Sequence, residues 1–161
     1  MRSTAPVIRR IAWGSVIPQL FFMGLLVFGY YLIGAKEFFL YGLLSYLTLS
    51  FGLRYFIPRS HRWGMAQIRQ RNYREAIPYF QRSYEFFKRY SWIDKYRFLT
   101  LLSSSKMCYR EMALINTAFC FIQIGDEKKG LEYYNHALIE YPNSDEARAG
   151  LNHLNGSKNK S

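Results

Sequence analysis

GDEKKGLEYYNHALIEYPNS, residues 125–144, contains the signals for both ends of a helix. Asp126 is a residue type whose side-chain oxygen satisfies the free N–H groups of a first helical turn, and Pro142 cannot continue a helix. Between them Leu131, Tyr134 and Leu138 recur at three- and four-residue steps, the period of an amphipathic helix. The spacing predicts one helix over 127–141. Upstream, KMCYREMALINTAFCFIQI (106–124) predicts a longer helix that stops at Gly125. Downstream, Ser144 or Asp145 caps a last helix, EARAGLNHL (146–154), and NGSKNKS (155–161) reads as a disordered tail.

Working back toward the N-terminus, RWGMAQIRQRNYREAIPYFQRSYEFFKRY (62–90) predicts two amphipathic helices with a turn near Arg71 and Asn72. Pro78 is expected early in the second of these, where a missing N–H costs least. IDKYRFLTLL (93–102) predicts a short helix ended by Ser103, Ser104 and Ser105. No strand-like alternation competes with these patterns. The chain is expected to be all-α.

The first third has a different character. Between Ile11 and Ile57 the only charged residues are Lys36, Glu37 and Arg54. IAWGSVIPQLFFMGLLVFGYYLI (11–33) carries no charge over 23 residues, and as a helix would run roughly 35 Å, enough for a hydrocarbon core of about 30 Å. Pro18 near its start predicts a kink or a late helix start. FFLYGLLSYLTLSFGLRYFI (38–57) makes a second span, with Arg54 near its end where the side chain snorkels to the interface. Trp13, Tyr30, Tyr31, Tyr41, Tyr55 and Phe56 lie toward the span ends, as interfacial aromatics do. The four-residue link, Gly34 to Glu37, suits only a tight helical hairpin. Gly24, Gly29, Gly42, Ser45 and Gly52 would let its helices approach closely. A cleaved signal peptide is disfavoured by the length of the run, by Tyr30-Tyr31 in the cleavage region and by the second span.

The net charge is +11, unevenly placed. From Arg59 to Arg110 there are twelve Lys or Arg against three acids, and from Glu111 onward five against seven. Arg2, Arg9 and Arg10 precede the first span, and the second is followed by more basic residues, so both termini (1–10 and 58 onward) are expected in the cytoplasm. The expected location is a bacterial inner or plasma membrane, with 11–57 as a transmembrane hairpin. Arg54, Arg59, Arg62, Arg69, Arg71 and Arg74 form a basic collar, read as a topology signal and as a contact for anionic lipid headgroups.

The cytoplasmic part resembles a known repeat. Trp63-Gly64 through Tyr73 to Ala76-x3-Phe80, and then Ala118, Phe121, Gly125, Gly130-x3-Tyr134, Ala137 and Pro142, are similar to the tetratricopeptide pattern of 34 residues. Gly130 in place of Ala, and Lys88 in place of the closing Pro, are departures. Ala76 and Gly130 lie 54 residues apart, one period plus the 20 residues of Ser91 to Arg110. The repeats therefore fall at about 57–90 and 111–144 within a domain of 58–154, with an insert over 91–110 and a capping helix over 145–154. What the resemblance implies is a short α-solenoid that recognises a protein or peptide in a groove lined by the first helices. Carried over, the groove positions are His61, Met65, Ile68 and Arg69, then Met112, Ile115, Phe119, Ile122 and Gln123. Two repeats fall short of the roughly three that usually bury a continuous core. The shortfall is left to the insert and the last helix, to a partner, or to self-association as a homo-oligomer.

Residues for catalysis were not found. His61, His136 and His153 have no ligand-like spacing, and there is no phosphate-binding glycine loop, nucleophile elbow or HExxH. Cys108 and Cys120 read as reduced apolar thiols, and His136 as an exposed helix residue. No metal, cofactor or enzymatic activity is expected, and the aromatic and basic run RSYEFFKRYSWIDKYRF (82–98) suits helix packing better than nucleic acid. The expected function is a membrane-anchored adaptor or scaffold. Two alternatives stand beside it: a structural or assembly subunit bound through its hairpin, and a module for anionic lipid surfaces.

Overall fold

A computed structural model describes residues 16–102, 105 and 107–158. Arg2, Arg9, Arg10 and Trp13, the first five residues of the expected first span, Ser103, Ser104 and the last three residues of the tail lie outside the described residues. Among the described residues there are nine helices and no strand: α1 Val16–Leu32, α2 Phe38–Phe56, α3 Arg59–Arg69, α4 Tyr73–Arg89, α5 Ser91–Lys95, α6 Arg97–Thr100, α7 Tyr109–Gln123, α8 Glu127–Glu140 and α9 Asp145–Lys158. They form two compact units. One is drawn from 59–91 and 107–158, the other from 16–58, 92–102 and 105. The 20-residue insert thus groups with the hairpin, apart from its first residue and its last few.

In the hairpin unit, Gly34 at φ 77° makes the turn that closes α1 against α2. No described helix is long and apolar enough to cross a membrane. At 1.5 Å per residue, the 17 residues of α1 and 19 of α2 reach about 25 and 28 Å, and α2 carries Arg54 and several tyrosines. The expectation of two full transmembrane spans therefore lacks support in the described helices. The helices themselves stand where they were predicted. Their packing is inside-out relative to a helix pair in water: Gly42 and Ser50 are the buried residues of α2, while Phe21, Phe28, Leu47 and Phe51 are exposed. A Cβ on Gly42 would stand 2.5 Å from Val27 Cγ2, so glycine is what permits this crossing. Tyr30 and Ser45 meet across it at 2.9 Å between hydroxyls. Of the other glycines expected at the contact, Gly24, Gly29 and Gly52 face open space.

The second unit is a row of helices in which each packs chiefly on the next, α3 on α4, α4 on α7, α7 on α8 and α8 on α9. The turns from α3 to α4 and from α7 to α8 are built alike. Arg71 (φ 62°) and Gly125 (φ 86°) occupy the left-handed position. The next residue in each turn donates back five positions, Asn72 N to Gln67 O and Asp126 N to Phe121 O, both at 2.9 Å. Ala76, Ala118 and Ala137 are fully buried where helices touch, and Ser83 nearly so. Gly130 departs from alanine for a steric reason, since a Cβ there would lie 2.5 Å from Ile122 Cγ1.

The predicted caps hold at two helices. The Asp126 carboxylate accepts from Lys129 N at 3.1 Å, and the Ser144 hydroxyl from Ala147 N at 3.3 Å, so Ser144 rather than Asp145 caps α9. Three expectations need correction. Pro78 is the sixth residue of α4, past the first turn, where it removes an interior hydrogen bond. The short helix over 93–102 is two, α5 and α6, broken at Tyr96. The last helix continues from Leu154 to Lys158, into the segment expected to be disordered. Its inner face, Ala147, Gly150 and Leu154, lies on the stack, and Gly150 leaves room for the Tyr134 ring.

Candidate functional site

The groove positions do not form an open groove. His61 is buried edge-on against two rings, Phe80 at 5.3 Å and Tyr109 at 5.4 Å. Met112, Ile115 and Phe119 are buried, Phe119 against the Tyr73 ring at 5.7 Å. Met65 and Ile68 are half-buried against the same core, and Asn116 Nδ2 approaches Met65 Sδ at 3.7 Å. Ile122 and Gln123 are half-buried, and Arg69 is exposed. The cause is α7 itself, whose residues from Met112 to Phe121 are buried without interruption. A helix buried around most of its circumference serves as a core element and leaves no open groove along these positions.

The collar also divides. Arg54 belongs to the hairpin unit, where it is exposed and its guanidinium reaches two carbonyls: Nε donates to Leu101 O at 3.3 Å and Nη2 donates to Leu102 O. The other five belong to the helical row. Arg59 lies over the Trp63 ring at 5.2 Å, Arg62 is half-buried, and Arg69, Arg71 and Arg74 are exposed. The latter three remain available to a charged surface.

A cavity of about 360 Å³ lies elsewhere in the row, between the second helices of the two hairpins. Gln81, Tyr84 and Glu85 from α4 form one wall, Glu132, Tyr133 and His136 from α8 the other, and Leu114 and Thr117 of α7 the floor. The floor is pinned, because the Thr117 hydroxyl donates to Ala113 O at 2.8 Å and both residues are buried. At one end Gln81 Nε2 donates to Tyr133 Oη at 2.8 Å and bridges the walls. At the other, the Tyr84 hydroxyl donates to Glu140, whose same oxygen lies 3.1 Å from His136 Nε2. Tyr84 and His136 stack edge to face at 5.7 Å.

The electrostatics follow from these contacts. Burial, the hydrogen bond to Glu140 and the nearby carboxylates raise the Tyr84 pKa well above its ordinary value, so it remains a neutral donor. Glu85 and Glu132 place negative charge on opposite walls. Burial likewise pushes the Cys120 thiol up to about 12, which keeps it neutral and unreactive. His136, expected to be merely exposed, is half-buried and lines the cavity. Its i,i+4 partner Glu140 is visible in the sequence. The Gln81–Tyr133 bridge spans 52 residues and has no local signal. Among the described residues no cluster of three or more His, Cys, Asp or Glu is arranged to hold a metal ion.

No family model, curated protein or solved structure matches this chain.

Proposed function

We propose that this protein is a membrane-anchored adaptor of tetratricopeptide-like build, in which the hairpin lies in the bilayer and the helical row holds a protein or peptide partner at the cytoplasmic face. The observation that carries it is the inside-out hairpin. Of the 26 exposed large hydrophobic residues among the described residues, 19 lie between Val16 and Phe56. Burying a side chain of this size is worth about 1.5–3 kcal/mol, so leaving the set in water costs on the order of tens of kcal/mol. Small and hydroxyl residues inside with large apolar residues outside is the packing that lipid selects. Helices shorter than the hydrocarbon thickness are accommodated by local thinning of the bilayer and by flanking residues.

The adaptor half rests on two similar helical hairpins at a 54-residue offset, Ala76 answering to Gly130 and Arg71 to Gly125. The binding surface moves from the first helices to the cavity between the second ones. Its size suits one side chain of a partner. Glu85 and Glu132 favour a basic one, and the Tyr84 and Tyr133 rings supply apolar wall.

Two measurements test this. The full chain should float with membranes and resist extraction by salt and alkaline carbonate. Recovery in the aqueous fraction without detergent would overturn the anchor. A photo-crosslinking residue at Gln81 should then give a discrete adduct in membranes, lost on Glu85→Lys. An adduct from Phe28 in the hairpin, with none from Gln81, would instead establish the structural-subunit reading.

A further inference from the structure

The segment 92–102 consists of two short helices and is irregular only at the Tyr96 break and at its end, and its backbone acceptors are satisfied from within the hairpin unit. Thr100 Oγ1 donates to Ile93 O at 2.7 Å and lies 3.1 Å from Tyr96 O. Arg97 donates to Asp94 O at 3.2 Å and to Ser105 O at 3.0 Å. Arg54, from the last turn of α2, takes the carbonyls of Leu101 and Leu102. Five of the segment's carbonyls thus need no water, and Leu101 and Leu102 are buried. In contact with lipid such satisfaction is required, because irregular backbone finds no solvent partner there.

The outward side has a matching composition. Trp92, Tyr96 and Leu99 are each half or more exposed, and their spacing of four and three residues sets them along one side. Lys95 flanks them with its ammonium over the Tyr96 ring at 5.5 Å. Trp and Tyr beside Lys, on an exposed apolar strip, is the chemistry of the boundary between headgroups and acyl chains. The strip is continuous with the hairpin, since α6 packs on α1 and Arg54 ties its end to α2.

We propose that residues 92–102 are a second membrane contact, which lies in the headgroup region of an anionic bilayer with Trp92, Tyr96 and Leu99 at the acyl boundary. Arg54 is its positioning residue. The inference rests on the membrane reading of the hairpin, and the test separates the two. Trp13→Phe with Trp63→Phe leaves Trp92 as the sole tryptophan, and Trp13→Phe with Trp92→Phe leaves Trp63 as the reference. Each full chain is reconstituted into vesicles of phosphatidylcholine mixed with phosphatidylglycerol.

Trp92 should emit to the blue of Trp63, be quenched by lipids brominated high on the acyl chain, and be several-fold less accessible to aqueous acrylamide. Arg54→Gln should restore acrylamide access to Trp92 while the protein still floats with the vesicles. A chain that floats, but whose Trp92 is as accessible as Trp63, overturns the second contact and leaves the anchor standing. A chain that does not float overturns both.

Discussion

Arg71 holds a backbone conformation that glycine adopts at no cost, and its counterpart 54 residues on is Gly125. The left-handed region brings Cβ against the following carbonyl, a penalty that only glycine escapes. Arg71→Gly is therefore expected to stabilise the turn between α3 and α4 by about 0.5–1 kcal/mol, read as a higher denaturation midpoint in detergent micelles. Cys120 and Tyr134 bear on pH. Burial pushes both up to about 12, from ordinary values of 9 and 10. Both are neutral acids whose folded state holds its proton more tightly, so the stability they contribute is fully present below about pH 9 and is lost as pH rises toward 12. Denaturation measured from pH 8 to 12 should show that decline, and Cys120→Ala should begin it nearer pH 10. These residues differ in how far the sequence exposed them. The Gly125-Asp126 turn carries its own signal, whereas nothing local marks Arg71 as left-handed; only the internal offset does.

At the level of elements, α4 and α7 are the instructive pair. Pro78 leaves the Arg74 carbonyl without its helical N–H in the interior of α4, and Pro78 is exposed. Pro78→Ala should restore that bond and stabilise the protein by about 1–3 kcal/mol, less than the full interior penalty because proline also restricts the unfolded chain. A variant that is no more stable would mean the helix has already adapted around the proline. Helix ends were legible because Asp126, Gly125 and Ser144 state them chemically. The burial of α7 was not, although its apolar residues are plain in the sequence. Periodicity tells which residues are apolar, but it cannot tell how many neighbours a helix has. That depends on α4 and α8 both packing on α7, and it is why the expected groove closed and a cavity between second helices took its place.

Across the whole molecule, the insert changes how the chain divides. A boundary at Pro58 looks natural from composition, with apolar residues on one side and charged ones on the other. Yet 92–102 belongs with the hairpin. A fragment of 59–161 lacks α1 and the Arg54 guanidinium, and so leaves two carbonyls unsatisfied and Leu101 and Leu102 exposed. It is expected to self-associate, seen as a concentration-dependent sedimentation coefficient, whereas the full chain in micelles should sediment as one species. Lengthening that fragment by the hairpin, and no shorter addition, should remove the behaviour.

Arg54 also imposes an order of events on synthesis. Its carbonyl partners lie 47 and 48 residues further along the chain. Chains emerge from the ribosome N-terminus first, so α2 is complete while Leu101 and Leu102 are still untranslated. During that interval the guanidinium must remain solvated, since neither carbonyl partner has yet been made. The arginine thus sets an order on folding: the end of α2 waits, its guanidinium unpaired with those carbonyls, until α3 and α4 have been made and the segment that follows them arrives.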